Sequence, residues 1–158
     1  MIVRITDEKY LESFAAVYNS ANTLFEESER ATAAPGLFLP QLRENENFAE
    51  ITERGEMSAF ISWSRCGKYF ELTSLYVKRE AQQSGIGSRL LRCFEEQAQD
   101  GGILFVKILK NAPWAENFYR RNGYLPPDEN EKEIAASLNI TEKSWSFLLC
   151  KRMEAKSD

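Results

Sequence analysis

The stretch Leu72–Leu91, LTSLYVKREAQQSGIGSRLL, carries Gly85 and Gly87 in a Gly-x-Gly loop directly after an apolar run. Without a Cβ, both glycines let the backbone approach a ligand closely, and successive amide N–H groups there can converge on one anion. A helix starting around Gly85 adds its unpaired first-turn N–H groups and the positive end of its dipole. Phosphate binding is the chemistry such a loop could do, and an ordinary turn is the other use of two glycines. Two common phosphate loops do not fit. No Lys-Ser or Lys-Thr follows the glycines, as a P-loop requires, and Leu90 stands where a dinucleotide fingerprint needs its third glycine. The chain has no histidine, which excludes any His-based triad or general base. Cys66, Cys93 and Cys150 are scattered without C-x-x-C spacing, so neither a disulfide framework nor a metal site is expected.

The elements that must position this loop follow from hydrophobic periodicity. After it, Ile86, Leu90, Leu91, Phe94 and Ala98 recur at near-helical spacing, with Arg89, Arg92, Glu95 and Glu96 on the other side. Before it, Tyr69 to Val77 reads as the strand that feeds the glycines. Upstream, Ile2, Val3 and Ile5 form a first strand, and Thr6 or Asp7 can cap a helix with Leu11, Phe14, Ala15, Val17 and Tyr18 inside. Asn22 to Gly36 turns polar and small, either a frayed second helix or a mobile loop, and Leu37 to Arg43 adds a helical turn or two. Phe48–Thr52 and Met57–Trp63 flank a turn as a β-hairpin. Downstream, Asp100, Gly101 and Gly102 end the central helix, and the apolar run Ile103–Leu109 is a buried strand. Asn111 can cap the next helix, with Pro113 near its start and Asn122-Gly123 at its end. Tyr124 opens a short strand, PPDENEKEIAASLNITEK is an acidic insertion with one helix, and Trp145–Lys151 is a last strand. The order β-α-α-β-β-β-α-β-α-β-β predicts an α/β (α+β) domain, a single mixed, mostly antiparallel sheet with helices on both faces. A length of 158 residues fits one domain, 1–158.

Composition narrows the function classes. With 20 Lys+Arg against 24 Asp+Glu, the net charge of −4 argues against a nucleic-acid binder that neutralises phosphates. It suits a cationic substrate better than an anionic one. No apolar run is long enough for a membrane span, and MIVRITDEKY lacks a signal-peptide layout, so a cytoplasmic protein without membrane association is expected.

Gln82-x-x-Gly85-x-Gly87 after a strand resembles the Gln/Arg-x-x-Gly-x-Gly/Ala acyl-CoA signature of the GNAT superfamily of N-acetyltransferases. A second stretch, Ala115-Glu116-Asn117-Phe118-Tyr119-x-x-x-Gly123-Tyr124, is similar to that family's A-x-x-F-Y-x-x-x-G-F/Y. The resemblance covers Tyr69–Tyr124 in sequence and the flanks in layout. It implies the GNAT fold, with a splayed parallel strand pair, and an acetyl-CoA-dependent N-acetyltransferase that releases CoA.

That resemblance assigns roles. The donor's pyrophosphate would sit on amides of Gln83, Ser84, Gly85, Ile86, Gly87 and Ser88, with Gln82 at the loop's start. Backbone groups of Leu75, Tyr76 and Val77 would bond the pantetheine arm, and one of these amides would polarise the thioester carbonyl. Tyr119 is the candidate general acid, since a phenol with a reference pKa of about 10 is protonated at neutral pH; a packed core tyrosine is the alternative. Glu71, eleven residues before Gln82, is the candidate base, and a solvated edge-strand carboxylate is the alternative. With a reference pKa of about 4.3, it would need burial or a relaying water to draw a proton from an ammonium. Asn111 resembles the family's pantetheine-side asparagine but lies four residues before Ala115, where the family uses three; a helix cap explains it equally. Trp63, Tyr76 and Trp114 read as packing residues, with Tyr76 or Trp114 also able to wall an acceptor pocket. The resemblance puts acceptor selection in Asn22–Gly36 and Pro126–Lys143. Their glutamates favour a primary amine on a small molecule or a peptide end. A silent acyl-CoA binding domain is the rival reading, and homodimerisation through the C-terminal strand is left open.

Overall fold

The computed structural model describes residues 1–155; the last three residues of the expected 1–158 domain lie outside them. Six strands, β1 (Ile2–Arg4), β2 (Glu46–Ile51), β3 (Met57–Cys66), β4 (Tyr69–Val77), β5 (Ile103–Leu109) and β6 (Ser146–Arg152), form one sheet in sequence order. Five helices accompany them: α1 (Leu11–Ala21), α2 (Leu39–Glu44), α3 (Ile86–Glu96), α4 (Pro113–Arg121) and α5 (Glu129–Ser137). β1–β2, β2–β3 and β5–β6 are antiparallel, and β4–β5 is parallel. This is the mixed, helix-flanked sheet that the element order called for. The parallel register runs from Tyr69↔Ile103 to Leu72↔Val106, the first four residues of a strand that continues to Val77.

The chain divides into two compact units. One comprises Met1–Ser64 with Ser74–Phe94, and the other Arg65–Thr73 with the described residues from Glu95 on. In the first unit, Phe14, Val17, Phe38, Ala49, Met57 and Phe60 make a buried core with Tyr18 and Tyr76 at its margin. Asp7 opens the helical run by accepting the Lys9 amide at 2.9 Å, which stabilises the first turn of a segment whose inward residues supply the burial. Asn22–Gly36 is neither a frayed helix nor a loose loop: it contains short 3-10 turns tied back by asparagine side chains. Asn19 exchanges two bonds with the Ala33 backbone, at 3.1 and 2.8 Å, and Asn22 donates to Ala31 O at 3.0 Å. Side-chain amides there satisfy backbone groups that no regular ladder serves. Leu90, Leu91 and Phe94 are fully buried on α3, where Phe94 meets Trp63 with ring centroids 5.2 Å apart. Burying these three large side chains fixes the helix that follows the glycine loop.

The second unit has its own core of Ile103, Phe105, Ala135, Ile140, Leu148 and Cys150. Gly102 is required at its entry, because a Cβ there would lie 2.9 Å from Ala98 Cβ and from Lys68 O. A capping box between Asp128 and Glu131 starts α5, and Arg152 bonds both carboxylates. Tyr124 does not open a strand. Only a bridge, Leu125↔Cys150, forms there, so the sheet has six strands where the sequence order called for seven. The two prolines that follow Leu125 explain this, since proline brings no N–H to extend a ladder. Three outward amides of β6 are engaged within the chain: Ser146 N on Lys143 O, Leu148 N on Glu142 Oε1, and Cys150 N on Leu125 O.

Candidate active site

The expected site residues fall into two groups. Leu75, Tyr76, Val77 and the loop Gln82–Ser88 belong to the first unit, and Glu71, Asn111 and Tyr119 to the second.

In the first group, β4 ends at Val77 and a 3-10 turn, Arg79–Ala81, leads into the loop. Lys78 N donates to Ser58 O at 2.9 Å, and the Gln82 side chain donates back to Val77 O at 3.1 Å. Gln82 thus ties the loop to the end of the strand. Gln83 has φ +64 and Gly85 φ +83, the left-handed region, so the chain turns twice before α3 begins at Ile86. A left-handed non-glycine residue such as Gln83 is costly and is held only where its surroundings over-determine it. The Ser84 hydroxyl donates to Ala81 O, and Arg89 Nη1 reaches Ser84 O at 3.5 Å. The first ladder bond of α3 is Arg89 N to Gly85 O at 3.1 Å, so the amides of Ile86, Gly87 and Ser88 precede the ladder and need partners from outside it. Gln83, Ser84 and Gly85 are exposed. The loop can therefore cradle an anion such as a pyrophosphate, with an eleven-residue helix behind it. Gly87 departs from expectation: it lies inside α3 and has no positive φ, so only Gly85 of the pair needs glycine's backbone freedom. Tyr76 packs edge-on to Tyr18, ring centroids 4.9 Å apart. Burial, and next the Tyr18 phenol, push its hydroxyl up to about 12, so it stays neutral.

In the second group, Tyr119 sits on α4 with 6% of its surface exposed. Its ring meets Phe118 and Tyr124 edge-on at 5.1 and 5.5 Å between centroids. Asn111 is not the helix cap. Ala112 occupies the N-cap without a side-chain bond, and Pro113 takes the first turn, where its missing N–H costs nothing. Glu71 is half-buried, with its Oε1 3.9 Å from Lys107 Nζ on β5. Burial raises its carboxyl pKa, and Lys107 lowers it by less. The carboxylate is thereby a stronger proton acceptor than a solvated glutamate.

One residue, with the partner that buries it, escaped the sequence reading. Glu95, assigned to the solvent side of the central helix, is 9% exposed, and its Oε2 accepts Lys151 Nζ at 2.7 Å and the Tyr124 hydroxyl at 3.4 Å. Periodicity could not find Glu95, because a charge enters a core only when a distant partner, here Lys151, neutralises it. Among the described residues no cluster of three or more His, Cys, Asp or Glu is placed to hold a metal ion, and no helix is long and apolar enough to cross a membrane.

Residues 44–126 match a sequence family described as an acetyltransferase (GNAT) domain. No curated protein matches the chain. Among solved structures it is similar to the ribosomal-protein-S18-alanine N-acetyltransferase from Escherichia coli, at TM-score 0.72 and 14% identity over 100% of this chain and 96% of that one. PaiA N-acetyltransferase from Thermoplasma acidophilum, solved in complex with coenzyme A, matches at TM-score 0.71 and 14% identity, covering 96% and 99%. Tetrahymena GCN5 matches at TM-score 0.73 and 14% identity, covering 97% and 92%. At these identities the likeness to solved structures is one of fold.

Proposed function

From the premise that the chain belongs to the GNAT acetyltransferase family, we propose that it is an acetyl-CoA-dependent N-acetyltransferase acting directly on a primary amine of a small molecule or peptide. The observation that carries this reading is the loop: left-handed backbone at Gln83 and Gly85, immediately followed by the open N-terminus of α3. The loop amides of Gln83–Ser88 would hold the donor's pyrophosphate. The backbone of Leu75–Val77 lies past the end of the parallel register with β5, and supplies donors and acceptors for the pantetheine arm and the thioester carbonyl. Acetyl-CoA, when bound, supplies the acetyl group as a thioester.

Glu71 takes a proton from the acceptor ammonium, directly or through water, leaving the amine neutral and nucleophilic. Its burial-raised pKa narrows the gap to the ammonium. Tyr119 gives its phenolic proton to the departing sulfur as the amine adds to the carbonyl and the C–S bond breaks. Gln82 acts indirectly: its bond to Val77 O couples the strand end to the loop. Asn111 is exposed and remains a candidate contact at the pantetheine side.

The acceptor class is tested by incubating the full-length protein with acetyl-CoA and a panel of primary amines, from polyamines and amino-sugar amines to short peptides with free N-termini, and following CoA release. Turnover with at least one amine, strongly lowered in Tyr119→Phe, is expected. Tight binding of acetyl-CoA with no turnover on any amine would favour a silent acyl-CoA binding domain.

A further inference from the structure

Tyr119 is held by groups that the proposed chemistry does not use. The Asn122 and Tyr124 amides both donate to Tyr119 O, at 3.0 and 3.1 Å, and Gly123 turns the chain at φ +91. This reversal lays the Tyr124 ring against the Tyr119 ring at an interplanar angle of 76°. Tyr124 is 0% exposed, and its hydroxyl donates to Glu95 Oε2. Lys151 Nζ donates to that same oxygen at 2.7 Å and to Asn122 O, at the C-terminus of α4, at 2.9 Å. Its ammonium lies 5.7 Å from the Tyr124 ring centroid. A Cβ on Gly123 would come 3.4 Å from Lys151 Cε, an ordinary contact, so the positive φ and not the neighbouring lysine is what calls for glycine here.

Stability alone explains this cluster poorly. A phenylalanine would fill the Tyr124 site without demanding an acceptor. The Glu95–Lys151 pair, with side chains 11% and 28% exposed, gives back in desolvation much of what its attraction contributes. Nor is Tyr124 a second proton source. Burial, followed by the Glu95 carboxylate, drives its phenol far above the ordinary tyrosine range, so it stays a donor to Glu95. What the cluster does supply is a fixed position for the Tyr124 ring, which packs on the Tyr119 ring, and for Asn122, whose amide bonds Tyr119 O.

We infer that Glu95, Lys151 and Tyr124 are positioning residues that hold the Tyr119 phenol in its reactive orientation, a role that rests on reading Tyr119 as the proton donor. The test uses the full-length protein labelled with meta-fluorotyrosine, with the Tyr119 fluorine resonance assigned by its loss in Tyr119→Phe. Tyr124→Phe, Glu95→Gln and Lys151→Met should each shift or broaden that resonance. With acetyl-CoA and the best amine of the panel, they should lower kcat about tenfold while KM for acetyl-CoA holds, and Lys151→Arg should recover most of the loss. An unmoved Tyr119 resonance in both the mild variant Tyr124→Phe and Lys151→Met would overturn the inference. So would parallel changes in kcat and KM that Lys151→Arg does not rescue, the mark of a merely structural role. Full turnover in Tyr119→Phe would instead remove the proton-donor reading, and the fluorine signals would still report whether the cluster positions the ring.

Discussion

Tyr119 and Glu71 divide the proton chemistry of the proposed reaction, and each makes a separate prediction. Replacing Tyr119 by phenylalanine keeps the ring that packs on Tyr124 and removes only the hydroxyl. Turnover should fall by about 10²–10⁴ while CoA affinity, measured calorimetrically, stays the same. Glu71 predicts a trade between activity and stability. Because burial raises its folded pKa, the native state binds the Glu71 proton more tightly than the unfolded chain does. Its contribution to stability is full below the unfolded value and is lost as pH rises through the raised folded value. Glu71→Gln should therefore raise the melting temperature at neutral pH, change little near about pH 4, and abolish the alkaline rise of kcat/KM. A variant that is no more stable at neutral pH and keeps its alkaline rise would return Glu71 to an ordinary surface carboxylate.

The loop and α3 hold the two glycines in different backbone, Gly85 in the left-handed region and Gly87 within the helix. At Gly85, φ is +83 and a Cβ would meet nothing closer than Arg89 Nη1 at 3.5 Å, so Gly85→Ala pays only for conformation, about 1–2 kcal/mol of stability by thermal or denaturant unfolding. Gly87 is helical, and alanine there should stabilise the fold by about 0.5–1 kcal/mol. If the loop holds a pyrophosphate, Gly87→Ala should nonetheless weaken acetyl-CoA binding. A variant that is more stable and binds equally well would show that Gly87 has no ligand to make room for. Most of this element was legible in the sequence, because strand, loop and amphipathic helix each have a local signal. The different conformations of the two glycines were not legible, since Gly-x-Gly spacing does not say which residue ends the turn. Asn111 misled for a related reason: asparagine favours caps, yet Pro113 at the helix start places the cap at Ala112. Glu95 was assigned to solvent by its own periodicity, and only the pairing with Lys151, 56 residues away, buries it.

Across the sheet, the order of elements followed from hydrophobic patterning, while its far edge did not. The strand expected at Tyr124 shrinks to the Leu125↔Cys150 bridge, and the outward amides of Ser146 and Leu148 are taken by Lys143 O and the Glu142 carboxylate. An edge capped in this way is protected from pairing with another chain. Dimerisation by strand addition at β6 should therefore be weak in the wild type, and Glu142→Ala, which frees the Leu148 amide, should increase concentration-dependent association in sedimentation velocity. Equal association of the two proteins would mean that the carboxylate does not guard this edge.

The central claim is that the Gln82–Ser88 loop binds the pyrophosphate of an acyl-CoA. Its most direct test is a calorimetric titration of the full-length protein with acetyl-CoA and then with CoA, beside Gly85→Asp. Aspartate tolerates the left-handed conformation better than most residues, so this variant should fold while placing a negative charge in the anion cradle. Binding of both ligands by the wild type, lost in folded Gly85→Asp, is the predicted result. Absence of binding to a folded wild type, or equal binding by the variant, would contradict it.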